Sequence, residues 1–214
     1  MLPFKQQSEY KVKCFSAMGN IFLFIIIFMD KLALYKVSTK YIKYLRQHDR
    51  NVCDPKDFGH TRPYVGILVY ESNDFYWFAP LTSKTNKPKF YCVKLYDTER
   101  RPIASVRINN LIPICKNKNA LYKIFDYTKL INSKDPKDKS YGALLELEVK
   151  SMNEPSIKID IYTKAKMFLN EYWFNQSIRK ISNNFPLLEQ KALEFSLSKD
   201  KKKEKTIRQE ELVR

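Results

Sequence analysis

The chain has 214 residues, enough for one or two domains with a real apolar core. Its 39 Lys and Arg against 23 Asp and Glu give a formal net charge of +16, which favours a polyanionic partner, either nucleic acid or an anionic membrane surface. With 14 Tyr, 14 Phe and only 4 Gly it is no disordered basic tail, and charge with that aromatic content fits a folded RNA or DNA binder, because bases stack on aromatic faces.

The chain opens with a stretch unlike the rest. Ile21–Met29 reads "IFLFIIIFM", nine apolar residues, where a spanning helix needs about 20. Lys5, Lys11 and Lys13 upstream would suit a signal peptide, but no small-residue cleavage site follows. The favoured expectation is a translation start at Met29, with residues 1–28 outside the folded unit, a domain over 29–197 and a charged tail over 198–214. No membrane anchor is expected.

Leu32–Val37 predicts a short strand. Ser38 or Thr39 then caps a helix through "KYIKYLRQH", with Tyr41, Ile42 and Leu45 on one face. A polar loop covers Asp49–Thr61. Tyr64–Glu71 and Phe75–Pro80 are rich in β-branched and aromatic residues and predict a hairpin turned at Ser72–Asp74. The polar stretch Leu81–Lys89 precedes a strand in "FYCVKLY", and further strands are expected around Ile103–Ile108, Leu111–Ile114 and Leu121–Leu130. From Ser140 the apolar period becomes helical: Tyr141, Leu144, Leu145, Val149 and Met152, then Ile161, Ala165, Phe168, Leu169 and Tyr172. Asn184 and Pro186 start a last helix carrying Leu188, Ala192 and Phe195. Strands first and helices later predict one α+β domain, an antiparallel sheet covered by C-terminal helices. The run "KDKKKEK" at 199–205 reads as a solvated helix end.

Cys14, Cys53, Cys92 and Cys115 form no CxxC pair, and His48 and His60 are the only histidines. Neither a structural zinc site nor a disulfide framework is expected. A reduced, cytoplasmic protein without a cofactor is.

The segment Ala79–Lys89, "APLTSKTNKPK", raises the question of function. Thr82 and Ser83 suit a turn at a strand end, and they equally suit a phosphate, with lysines close behind. The surrounding blocks weigh on that choice. "STKYIKYL", "RPYVGILV", "APLTSK", "INNLIPI", "YGALLELE", "KAKMFL" and "NNFPLLEQKALEF" stand in the order and spacing of the ToxN/AbiQ family, the endoribonuclease toxins of type III toxin–antitoxin systems, and the chain resembles that family from about Met29 to Leu197. The resemblance implies a strongly twisted antiparallel sheet akin to the MazF/Kid barrel. It implies metal-independent, sequence-specific cleavage of RNA to 2′,3′-cyclic phosphate and 5′-hydroxyl ends, with a role in phage abortive infection or plasmid maintenance. It also implies a repetitive, pseudoknot-type antitoxin RNA that the toxin itself cuts into inhibitory units, and an RNA-mediated homo-oligomer. A non-catalytic basic RNA-binding module of the same fold is the alternative.

Residue by residue, Thr82 and Ser83 match the family's catalytic hydroxyl position. The resemblance assigns Ser83 to the scissile phosphate or the 2′-hydroxyl and Thr82 to a neighbouring phosphate contact. Arg62, in "HTRPYVG", stands where the family carries an active-site Lys or Arg, and its planar fork suits phosphate oxygens. The family's second lysine falls at Thr85 here, so Lys84 is the first candidate for that role and Lys87 the second, with Lys89 as a further RNA contact. His60 is a side candidate for proton transfer or RNA contact, whereas His48 suits a helix C-terminus. For Tyr41 and Tyr44, which share a helix face, two readings stand equal: packing on the sheet, or a phenol turned toward RNA. Glu146 replaces an aromatic expected in "YGALLELE", which leaves that helix without an assigned site role.

Overall fold

A computed structural model describes residues 31–57, 60–67, 74–86, 88 and 90–212. Residues 1–28 therefore lie outside the described residues, as do Ser72 and Asn73 of the expected turn. The strands are β1 (Leu34–Val37), β2 (Lys56–Asp57), β3 (His60–Thr61), β4 (Pro63–Ile67), β5 (Phe75–Thr82), β6 (Cys92–Tyr96), β7 (Pro102–Arg107), β8 (Ile112–Cys115) and β9 (Tyr122–Ile124). The helices are α1 (Thr39–His48), α2 (Thr128–Ile131), α3 (Pro136–Met152), α4 (Pro155–Glu171), α5 (Gln176–Ile181) and α6 (Phe185–Leu212).

Every strand pairing is antiparallel, and the main sheet runs β6-β7-β5-β4-β1-β9, with β8 also on β5. The long strand β5 organises it. Its N-terminal half pairs with β8 (Phe75↔Cys115 to Phe78↔Ile112) and its last two residues pair with β7 (Leu81↔Val106, Thr82↔Ser105). Between β7 and β8 the chain turns through a single 3-10 turn at Ile108–Asn110, the "INN" of the "INNLIPI" block. The sheet has free ends at β6 and β9 and does not close, so the barrel closure implied by the family resemblance is corrected to an open sheet among the described strands.

Alternation along β5 sends successive side chains to opposite faces. Trp77, Ala79 and Leu81 join Val93, Leu95, Ala104 and Val106 beneath Leu145 and Met152 of α3 and Ile161 and Phe168 of α4. Phe78 joins Tyr64, Ile112 and Ile114 beneath Tyr41, Ile42 and Leu45 of α1 and Leu188, Ala192 and Phe195 of α6. Each large side chain so buried contributes about 1.5–3 kcal/mol of transfer free energy. At Gly66 a Cβ would stand 2.7 Å from the Tyr35 ring; glycine is required there because that ring lies against the strand.

Most of the expected elements are present, with three additions and one extension; the strand expected over Leu121–Leu130 is corrected to the short β9 at Tyr122–Ile124, followed by the unexpected helix α2 at Thr128–Ile131. A small β2–β3 ladder occupies the loop expected over 49–61. The short α5 lies between the expected helices, with Asn175 as its cap, accepting from Ser177 N at 3.0 Å and Ile178 N at 3.3 Å. The last helix continues to Leu212, through the lysine-rich segment set apart as a tail. No described helix is long and apolar enough to cross a membrane. Cys53, Cys92 and Cys115 are buried and joined in no disulfide, and Ser38 caps α1 without a side-chain hydrogen bond.

Candidate active site

The end of β5 is where the expected site residues meet. β4 and β5 pair with Tyr64 opposite Pro80, and continuing that register by two residues sets Arg62 across from Thr82. The side chain follows the register. Arg62 Nη1 donates to the Leu81 carbonyl at 3.0 Å, and Nε donates to the Asp54 carbonyl at 2.8 Å. Its backbone N–H donates to Pro55 O at 2.8 Å. A guanidinium thus clamps the 54–55 loop to the strand end beside Thr82, and Arg62 is buried there. Its donors serve backbone carbonyls, a bracing role that the sequence did not reveal.

Thr82 is buried and Ser83, the first residue past the strand, is exposed. The backbone N–H of Lys84 donates to Thr82 Oγ1 at 3.3 Å, so Thr82 also serves as a turn residue. Ser83 and Lys84 stand out to solvent on that turn. Lys87 and Lys89 lie outside the described residues. His60 pairs with Asp57 through the β2–β3 ladder, while its side chain lies outside them too.

Two residues named from the sequence are placed elsewhere. Tyr41 is 0% exposed, donates its hydroxyl to the Pro113 carbonyl and sets its ring 5.1 Å from that of Phe195. It has no face to offer a base, so the packing reading holds and the RNA-facing reading of Tyr41 is corrected. Tyr44 turns to α6, its hydroxyl 3.4 Å from Glu194 Oε2 and its ring 5.0 Å from Phe195. Neither phenol joins Arg62 and Thr82. His48 ends α1 against the Tyr44 ring, as a helix C-terminal residue. Glu146 forms an ion pair with Lys150 at 3.4 Å on α3.

Other residues around the site were missed. The Tyr64 hydroxyl and the Ser105 hydroxyl, one strand on either side of β5, are both buried without a hydrogen-bond partner. Burial, aided by the nearby Cys53 and opposed by the charge of Arg62, holds the Tyr64 phenol far above the ordinary range. A buried asparagine cluster fixes the loop that Arg62 grips. Asn110 Nδ2 donates to Asn51 O at 2.8 Å and to Asn183 Oδ1 at 3.0 Å, and Asn183 Nδ2 donates to Leu111 O at 3.0 Å. Asp49 accepts from Asn51 N at 2.9 Å and from Asn184 N at 2.7 Å. Asn110, Leu111, Asn183 and Asn184 belong to the "INNLIPI" and "NNFPLLEQ" blocks, so the signal was present as paired asparagines with no visible partner. Among the described residues, no three His, Cys, Asp or Glu side chains gather as metal ligands would.

Comparison with known proteins gives this strand end its context. Residues 33–193 match the family described as toxin ToxN of type III toxin–antitoxin systems. The chain is 30% identical over 183 residues to an endoribonuclease ToxN of Bacillus thuringiensis subsp. kurstaki, covering 82% of this chain and 90% of that one. Among solved structures it is similar to a type III toxin selectively inhibited by a non-coding RNA pseudoknot, with TM-score 0.68 and 28% identity over 78% of this chain and 99% of that one. AbiQ, a lactococcal anti-phage endoribonuclease of a type III system, shares the fold at TM-score 0.63 and 22% identity, over 78% of this chain and 99% of its own. With the match spanning strands, helices and the hydroxyl-bearing end of β5 alike, the chain belongs to the ToxN family, the endoribonuclease toxins of type III toxin–antitoxin systems.

Proposed function

We propose that this chain cuts RNA sequence-specifically without a metal, at the end of β5, by transesterification through the ribose 2′-hydroxyl. The observation that carries the reading is the convergence of Arg62, Thr82 and Ser83 at one strand end. In the reaction the 2′-oxygen attacks its own phosphorus and the bond from phosphorus to the 5′-oxygen breaks. The proton leaving the 2′-hydroxyl is balanced by the one gained at the 5′-oxygen, giving 2′,3′-cyclic phosphate and 5′-hydroxyl ends. The protein supplies no nucleophile. It orients the attack and stabilises the extra charge on phosphorus, and such stabilisation by preplaced donors and cations is usually the largest contribution to the rate.

Ser83, exposed beyond the strand, donates to the scissile phosphate or the 2′-hydroxyl. Thr82 holds the turn and a neighbouring phosphate oxygen. Arg62 places a permanent charge beside them and is no proton carrier. Lys84 is the first candidate for the second cation and Lys87 the second, with Lys89 and His60 as further RNA contacts. The fold unit is proposed to run over 29–197, with a strongly twisted, MazF-like sheet that stays open.

A repetitive RNA antitoxin is the proposed partner, cut by the toxin into units that remain in the same groove and join copies of the toxin in the cytoplasm. Support comes from relatives: one solved structure concerns inhibition by an RNA pseudoknot, and another, at 24% identity and TM-score 0.58, a processed non-coding RNA that regulates a bacterial antiviral system. The proposed role is phage defence or plasmid maintenance. The test is to incubate the full chain and Met29–Arg214 with single-stranded RNA in EDTA, beside Ser83→Ala and Arg62→Ala. Cuts with cyclic-phosphate ends that vanish in Ser83→Ala are expected. RNA binding with no cutting by the unaltered chain would overturn the enzyme reading.

A further inference from the structure

The registers that bring Arg62 to Thr82 continue across the sheet. Thr82 pairs with Ser105, and Ser105 pairs with Lys94, so Arg62, Thr82, Ser105 and Lys94 form one row over four strands. Two residues farther along β7 stands Arg107, which pairs with Cys92. Alternation fixes the face they share. Val93, Leu95, Ala104 and Val106 all point into the core under α3 and α4, so Lys94, Ser105 and Arg107 project to the other side, the side of Thr82.

Lys94 and Arg107 are both partly buried, and neither meets a carboxylate among the described residues. Among the described residues Lys94 has no ion pair or hydrogen bond from its ammonium. Arg107 has only the Cys53 thiol, 3.8 Å from Nη1, and sulfur is a weak acceptor. Between them the Ser105 hydroxyl is fully buried with no partner. Two cations without anions on one sheet face, on either side of a buried hydroxyl, suit an anion that is supplied from outside.

We propose that Lys94 and Arg107 form a second phosphate subsite that holds an RNA phosphate next to the scissile one, with Ser105 between the two subsites. Two strand spacings, about 10 Å, separate Thr82 from Lys94, so the phosphate at Lys94 is a different one from that at Thr82–Ser83. The subsite sets how the strand lies across the sheet and deepens the RNA-cleaving reading given above, on which it rests.

The test uses the full chain and 2′-O-methyl RNA of mixed sequence, which lacks the nucleophile and cannot be cut. Affinity is measured over a salt series for the parent, Lys94→Ala, Arg107→Ala, Lys94→Arg, and Lys137→Ala on α3 as a remote control. Losing one phosphate contact on a single strand lowers the slope of log K against log salt by about 0.7. Each alanine variant is expected to show that loss and roughly tenfold weaker binding at low salt, while Lys94→Arg and Lys137→Ala keep the parent slope. Parent slopes in both alanine variants would overturn the subsite. If Arg107→Ala loses its cooperative unfolding transition, the slope of Lys94→Ala decides alone. Cleavage of unmodified RNA by the parent is scored in parallel. Lost slopes without cutting retain the subsite and remove the nuclease; cutting with unchanged slopes does the reverse.

Discussion

Arg62 Nη1 donates to the carbonyl of Leu81 at 3.0 Å, one residue before Thr82. The same side chain holds the Asp54 carbonyl at 2.8 Å, so a single planar group ties the end of β5 to the loop before β2. A lysine has the charge but not the fork. Arg62→Lys is therefore expected to keep salt-dependent RNA binding while cleavage falls at least tenfold and stability falls by about 1–3 kcal/mol. Denaturant unfolding beside single-turnover cleavage checks this. Full activity in Arg62→Lys would show that charge at this position suffices.

Tyr41 gives the converse case. Its hydroxyl bonds Pro113 O and its ring is sealed beneath α6. Tyr41→Phe is expected to lose about 1 kcal/mol, because the Pro113 carbonyl is left without that donor, and to leave the RNA salt slope unchanged. A stacking role would instead weaken RNA binding with stability intact.

Asn110 and Asn183 bond each other and hold Asn51 and Leu111 carbonyls. Asn110→Ala leaves the Asn51 carbonyl and Asn183 Oδ1 without that donor, at a cost of about 2–4 kcal/mol for the cluster. Because Asn51 leads into the loop that Arg62 grips, cleavage is expected to fall more than RNA affinity, a drop in kcat with little change in KM. Rates and unfolding midpoints on one preparation separate this from general destabilisation.

Tyr64 carries a hydroxyl without a partner, and burial raises its phenol far above the ordinary range; Tyr41 is raised by burial too. A phenol whose folded pKa is raised favours folding fully below the unfolded value, about 10. That contribution is lost as pH rises, because only the unfolded chain ionises there. Stability should decline above about pH 10, less steeply in Tyr64→Phe. At neutral pH Tyr64→Phe should be about 1 kcal/mol more stable, since an unpaired buried hydroxyl is removed. Urea titrations at pH 7 and pH 10.5 test both signs.

Much was legible along the chain because the information is local. The aromatic run "FYWF" suits a strand and the spacing of Ile161, Ala165 and Phe168 follows the period of a helix, and both segments form as expected. Composition determined the basic character, and short blocks in a fixed order determined the family. The Thr82–Ser83 corner and Arg62 were named from those blocks, and the structure brings them together.

What only the tertiary structure decided is everything that depends on which strand lies beside which. Strand partners are set by long-range packing, and a register shift of one residue would turn every side chain to the other face. Hence Lys94, Ser105 and Arg107, scattered in sequence among core residues, carried no signal until β6 and β7 were paired with β5. Tyr41 and Tyr44 lie on the same helix and were equal candidates, yet the placement of α6 over α1 buried one and turned the other to Glu194. The open sheet has the same origin, since closure depends on whether β6 and β9 meet, a relation between ends that no local pattern encodes.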